Sequence, residues 1–198
     1  MKAWRLRDVG DDPSPTWFDS CSNPNPIMNV LIWNCRCAMK PKFKTTLLDL
    51  MSWHNPDIFV VTKIKMSGLK ANAIIKNLPF EGAYHTETIG FAGGIWLLWR
   101  SDIVDVEILS ATGQEIYTLI RVNPSSPPWL LFAIYASPRF VDRCVLWDNL
   151  KIIANSHNIP WVVMGDFNDM VSQDEKFGGI LSIDVEFKPI MSAWTIVN

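Results

Sequence analysis

The chain has 198 residues, of which 48% are apolar and 19% charged, and its formal net charge is −2. That composition supports one mid-sized domain with a substantial core and excludes a chain dominated by disorder. The longest apolar runs, such as Phe91–Trp99, fall far short of the roughly twenty residues that a helical membrane span needs, so no membrane role is expected.

Charge is unevenly placed along the chain. Residues 29–80 carry eight Lys/Arg against Asp49 and Asp57, whereas residues 81–198 carry seven against fourteen acids. The overall balance does not by itself indicate a nucleic-acid partner, although the basic stretch suits phosphates and a cluster of acids suits a cation. Cys21, Cys35, Cys37 and Cys144 show no Cys-x-x-Cys spacing, and a reducing compartment is the default expectation. No apolar segment follows the basic residues of Met1–Arg7, so no secretory signal is expected.

Residues 1–27 read as a leader or linker, because Asp11-Asp12-Pro13-Ser14-Pro15 and Ser22-Asn23-Pro24-Asn25-Pro26 break regular structure. The domain is placed at residues 28–198. Asn29–Trp33 is a short buried strand, and Phe43–Trp53 is a helix with Leu47, Leu48, Leu50 and Met51 near helical spacing. Asn55-Pro56-Asp57 is a turn before the β-branched strand at 58–61, and a second helix is expected over Leu69–Leu78. Four strands follow at about 83–88, 93–99, 103–109 and 115–122, then a Pro/Ser loop at 123–128 and a strand at Trp129–Tyr135. Arg139–Asn155 is a helix with Leu146, Leu150 and Ile153 on one face. Trp161–Met164 is a strand ending in Gly165-Asp166-Phe167-Asn168, with Gly165 read as permitting a turn, and a last helix is expected within 184–194. This order predicts an α/β sandwich of two packed sheets with helices outside. No Gly-rich phosphate loop follows any strand.

The chemistry-bearing residues cluster at strand ends. Asp166 and Asn168 emerge two residues apart, Asn34 follows Trp33, and Tyr135 precedes Ala136-Ser137-Pro138. An Asp can hold a divalent cation or orient a water, and an Asn can hydrogen-bond a phosphate. Taken singly, Asp166 is explained better by a strand ending in a simple Asx turn. Jointly, three strands finishing at one edge would assemble Asn34, Tyr135, Asp166 and Asn168 in one cleft.

These segments resemble the endonuclease/exonuclease/phosphatase superfamily, the DNase I-like fold, over essentially all of residues 28–198. The carriers are Asn29–Arg36, Asn55–Thr62, Gly90–Trp99, Trp129–Pro138 and Trp161–Gly179. Within them, Gly93-Gly94-Ile95-Trp96-Leu97-Leu98-Trp99 and Glu175-Lys176-Phe177-Gly178-Gly179 resemble the endonuclease domain of plant LINE-type non-LTR retrotransposons. The resemblance implies a four-layer sandwich, two mixed sheets flanked by helices, and a hydrolase: a Mg²⁺- or Mn²⁺-dependent phosphodiesterase that nicks DNA. It implies no small-molecule cofactor, and a nuclear location would rest on it alone. By matching position, Asn34 and Asp166 would serve the metal, Asp166 would orient or deprotonate the attacking water, Asn168 would fix Asp166 or the phosphate, and Tyr135 would hydrogen-bond the phosphate. Arg36 and Lys40 are weaker candidates for phosphate contacts, and a solvated loop explains them equally well.

Three departures bear on activity. Lys63 stands where the family places its metal-ligating Glu, and an ammonium offers no oxygen to an ion. A second, less favoured reading has Lys63 itself neutralise the phosphate as a fixed cation, although a lysine does not reproduce the geometry of a bound ion. The family's terminal strands with an Asp–His pair have no counterpart before Asn198, so the domain is expected to be truncated at its C-terminal end; His54, His85 and His157 receive no catalytic role. Cys37 replaces a family Gly and would be strained if that position needs a positive φ. Trp96, Trp99, Trp129, Trp147 and Trp161 are read as core, and Asp174 and Glu175 as a surface turn. Three functions remain open: a working phosphodiesterase with weak metal binding, a non-catalytic remnant that binds nucleic acid or nothing, and a phosphatase of small phosphoesters.

Overall fold

The computed structural model describes residues 2–6, 28–66, 68–88, 93–122, 126–156 and 158–168. The first sheet contains β1 (Lys2–Leu6), β2 (Met28–Asn34), β3 (Ile58–Thr62), β4 (Gly82–His85) and β5 (Ile95–Trp99), in the order β1-β2-β3-β5-β4. The second contains β6 (Asp105–Ala111), β7 (Glu115–Arg121), β8 (Trp129–Tyr135) and β9 (Trp161–Asp166), in sequence order. Helices α1 (Phe43–His54) and α2 (Gly68–Ile75) accompany the first sheet, and α3 (Phe140–Ser156) the second. Both sheets are mixed: β2 runs parallel to β3 and β8 parallel to β9, while the other pairs are antiparallel. The expected DNase I-like four-layer sandwich is what the chain forms.

Period-two alternation builds the layers. Val30, Ile58, Val60, Ile95 and Leu97 face Ile116, Ile120, Leu131, Ala133 and Met164, and all ten are buried between the sheets. The intervening residues Leu31, Phe59, Val61, Trp96 and Leu98 face outward against Phe43, Leu47, Leu50 and Met51 of α1 and Ala71 and Ile75 of α2. On the far side Leu130, Phe132 and Ile134 pack against Leu146 and Leu150 of α3. Both faces of β3, β5 and β8 are covered, which is why these strands read as unbroken apolar runs.

Two differences from the sequence reading have physical causes. Lys2–Leu6, expected in a leader, pairs antiparallel with β2 as an edge strand. A five-residue strand beside a proline-rich stretch carries no periodic signal of its own; its partner supplies the order. The second helix stops at Ile75 rather than Leu78, because the 3₁₀-type bonds Asn77 N–H to Ile74 O and Leu78 N–H to Ile75 O tighten the turn before Pro79. The helix expected within 184–194, the Asp174–Gly179 segment and His157 lie outside the described residues.

One buried carboxyl sits beneath α3. Glu115 is 4% exposed; its Oε1 accepts a hydrogen bond from Asn149 Nδ2 at 2.9 Å, and its Oε2 has no partner among the described residues. Burial raises its pKa above the ordinary 4.5, and the Asn149 bond only partly opposes that. A carboxyl whose pKa is raised on folding contributes stability that is complete below its unfolded value and lost as pH rises through the folded one. Stability should therefore fall as pH rises above about 4.5. Glu115→Gln should flatten that fall and raise the melting temperature at neutral pH, measured by thermal denaturation across a pH series.

Candidate active site at the strand ends

The C-terminal ends of β2, β3, β8 and β9 share one edge of the sandwich. Asn34 pairs in register with Thr62, and Tyr135 with Asp166. The two sheets meet there through side chains. Asn34 Nδ2 donates to Asp166 Oδ2 at 2.6 Å, across a sequence separation of 132 residues. Asp166 Oδ1 accepts from the backbone N–H of Asn168 at 3.2 Å, so the Asx turn is present as well. Asn168 Nδ2 donates to the carbonyl of Ala136 at 2.7 Å, and Asn168 lies near enough to Tyr135 to oppose in part the rise in its pKa. Burial first, then the charge of Asp166, holds the Tyr135 hydroxyl above its ordinary pKa of 10.0. Asn34, Tyr135, Asp166 and Asn168 thus form one connected group.

Gly165 has a role different from the turn expected of it. It lies inside β9 with φ +151°, and a Cβ there would come within 1.8 Å of the Ile134 carbonyl oxygen. The glycine lets β9 approach β8 closely enough to set Asp166 beside Tyr135.

The loop after β3 is the second component. Lys63 and Lys65 hold left-handed backbones, with φ 59° and 56°. Ile64 N–H bonds to Gly94 O at 3.3 Å, Lys65 N–H to Gly93 O at 3.0 Å, and Ala38 N–H to Ile64 O at 2.8 Å. Gly93 and Gly94 have positive φ themselves, and a Cβ on Gly94 would sit 3.0 Å from Thr88 Cγ2. Cys35 ties this loop to β2: its N–H donates to Thr62 O at 3.1 Å, and its Sγ donates to Lys63 O at 3.6 Å. Burial pushes the Cys35 thiol up to about 12, so it packs and does not react. The half-buried Lys63 side chain ends 5.8 Å from the centroid of the Tyr135 ring.

Cys37 is not strained as expected. The left-handed residue is its neighbour Arg36, at φ 61°, whose N–H donates to Asn34 Oδ1 at 3.2 Å. The side chains of Arg36 and Lys40 are exposed. His54 ends α1, and His85 ends β4 with Nε2 3.1 Å from Asn72 Oδ1.

Sequence reading missed Gln114. Its Oε1 accepts from Ser137 N–H at 2.6 Å, its Nε2 donates to Asp142 O at 2.8 Å, and its carbonyl accepts from Tyr135 N–H at 2.8 Å. Gln114 therefore clamps the segment that follows Tyr135. Ser137 Oγ and Arg139 Nε also reach Asp142 Oδ2, at 3.0 and 2.8 Å, fixing the start of α3. No local pattern marks a glutamine in a hairpin turn for that task.

Residues 31–179 match the endonuclease/exonuclease/phosphatase family. The chain belongs to this family. No curated relative matches the sequence. Among solved structures, a functionally unknown conserved protein from Enterococcus faecalis V583 superimposes with a TM-score of 0.53 at 18% identity, over 71% of this chain and 66% of that one. The catalytic domain of human Nocturnin, with bound sulfate, gives 0.51 at 17% identity, over 74% and 67%. The endonuclease domain of TRAS1, a telomere-specific non-LTR retrotransposon, gives 0.56 at 14% identity, over 74% and 63%. At such identities the likeness establishes the fold. The chain spans about two thirds of the length of these structures.

A metal-dependent fold family raises the question of whether these side chains suit a divalent ion. Magnesium demands near-octahedral oxygen ligands. The strand-end group offers one carboxylate, both of whose oxygens already accept hydrogen bonds, and two amide oxygens, of which that of Asn34 is bonded to Arg36 N–H. Among the described residues, no three His, Cys, Asp or Glu side chains gather as a metal cluster. A fixed ammonium sharing the cleft with a divalent ion repels it by several kcal/mol at close range, even at an effective dielectric of about 20. The donor set present does not fit the metal.

Gly165→Ala should destabilise the fold by roughly 3 kcal/mol or more, because a backbone clash cannot be relieved by rotating a side chain. Urea denaturation measures this. Asp166→Asn should lower the pKa of Tyr135, since it removes the charge that helps raise it. Ultraviolet titration of the three tyrosines would show one phenolate forming at lower pH than in the wild type.

Proposed function

We propose that this chain is a retrotransposon-derived endonuclease/exonuclease/phosphatase domain, of the plant LINE type, whose cleft binds nucleic-acid phosphate and no longer hydrolyses it. The ancestral reaction in this reading is Mg²⁺-dependent nicking of DNA. Asp166 oriented the attacking water, Asn168 held Asp166 and the phosphate, Asn34 served the metal, and Tyr135 hydrogen-bonded the phosphate as charge developed. The retroelement assignment is supported by the ordered motifs from Trp33-Asn34-Cys35-Arg36 to Gly165-Asp166-Phe167-Asn168.

The observation that carries the loss of hydrolysis is the Lys63 ammonium over the Tyr135 ring. It stands at the position of the family's metal-ligating Glu, within a cleft that offers a single carboxylate. Metal-assisted stabilisation is worth several kcal/mol, and each 1.36 kcal/mol is about tenfold in rate. Losing it removes most of the catalytic advantage while leaving the hydrogen-bonding group intact.

Supercoiled-plasmid nicking tests the reading. With Mg²⁺, the wild type should nick no faster than Asp166→Ala. Lys63→Glu should raise nicking on the order of a hundredfold, the yield of a few kcal/mol of recovered metal stabilisation. Combining it with Asp166→Ala should abolish the gain. Robust Mg²⁺-dependent nicking by the wild type, lost in Asp166→Ala, would instead establish a working enzyme.

A further inference from the structure

We infer that Lys63 is a built-in cation for this cleft, so that the protein binds the phosphodiester of a nucleic-acid strand without any metal ion. The inference rests on the phosphate-binding reading above and names the group that supplies the positive charge. Three observations support it.

The first is position. Lys63 follows directly on β3, whose last residue pairs with Asn34, and its ammonium lies 5.8 Å from the ring of Tyr135, itself paired with Asp166. The second is availability. Lys63 takes part in no ion pair among the described residues, whereas Arg100, Arg121, Arg139 and Lys151 all do. A half-buried ammonium beside an aromatic face and without a carboxylate partner is poised to receive an anion. The third is anchoring. The Lys63 carbonyl accepts from Cys35 Sγ, and the two following amides bond to Gly94 and Gly93. The backbone that carries the ammonium is pinned before any ligand arrives, which lowers the entropy lost on binding.

Charge balance points the same way. Asp166 and Lys63 sum to zero, and Arg36 and Lys40, which follow β2, are exposed. A divalent ion would add two positive charges to a cleft that already has its own.

Binding of a short fluorescein-labelled DNA duplex, followed by anisotropy in EDTA and in Mg²⁺, tests the inference. The wild type should bind equally well in both. Lys63→Gly should bind about tenfold more weakly in EDTA, a change equivalent to ~1.4 kcal/mol. Its salt-dependence slope should fall by about one, as expected when one phosphate contact is removed. Glycine suits the φ of 59°, so this variant should melt no lower than the wild type, and weak binding would not be a folding defect. Lys63→Glu should bind poorly in EDTA and regain affinity with Mg²⁺. Wild-type affinity that EDTA abolishes would overturn the inference and leave the phosphate-binding reading standing, as would Lys63→Gly binding as tightly as the wild type with an unchanged salt slope. Absence of binding in both buffers would overturn the phosphate-binding reading itself.

Discussion

The apolar layer between the two sheets is the constraint on which the other features depend. Val30, Ile58, Val60, Ile95 and Leu97 on one side and Ile116, Ile120, Leu131 and Ala133 on the other lose nearly all contact with water. Each fully buried aliphatic side chain of this kind contributes roughly 1.5–3 kcal/mol. Because strand side chains alternate, fixing which residues face that layer also fixes which face the helices. It sets the register of both sheets, and register determines which residues end at the common edge. A slip of one residue in β9 would exchange Asp166 for a neighbour and turn the whole strand inside out.

The edge so formed is held by polar contacts that cross between sheets. The 2.6 Å bond from Asn34 to Asp166 links β2 to β9, and Asn168 links the turn after β9 to Ala136 after β8. These contacts are supported by a backbone that departs from ordinary geometry. Arg36, Lys63, Lys65 and Asn168 all have positive φ and all lie at this edge; Asn55, the fifth such non-glycine residue among the described residues, ends α1. Each left-handed residue other than Asn or Gly costs on the order of 1 kcal/mol, and such costs concentrate where a site requires a particular arrangement. Here the hydrogen bonds to Gly93, Gly94 and Thr62 offset them.

Fold and chemistry separate in this protein. The family match over residues 31–179 and the likeness to Nocturnin and the TRAS1 endonuclease domain describe a shared scaffold. Function resides in the particular side chains placed upon that scaffold. Asn34, Tyr135, Asp166 and Asn168 retain a mutually bonded arrangement, yet the charge next to them is an ammonium. The arrangement needs no ion to hold it, because Asn34 donates to Asp166 and Asn168 donates to Asp166 and to Ala136 O.

The sequence by itself determined the order of most elements. The strand at Trp129–Tyr135 and the start of the helix at Phe43 match the structure residue for residue, because local periodicity and bounding turn residues suffice for them. It also placed Asn34, Tyr135 and Asp166 at or just past strand ends, where they could meet. Tertiary structure decided the remainder. That Lys2–Leu6 is a strand depends on a partner elsewhere in the chain. That Gly165 serves close strand approach, not a turn, depends on the Ile134 carbonyl opposite it. That Arg36 carries the left-handed backbone instead of Cys37 depends on the Asn34 side chain accepting its N–H. Gln114 acquires its role from Ser137 and Asp142, more than twenty residues away. Except for the short-range bond of Arg36 to Asn34, these rest on contacts between residues distant in sequence, and local pattern carries no information about a neighbour that only folding supplies.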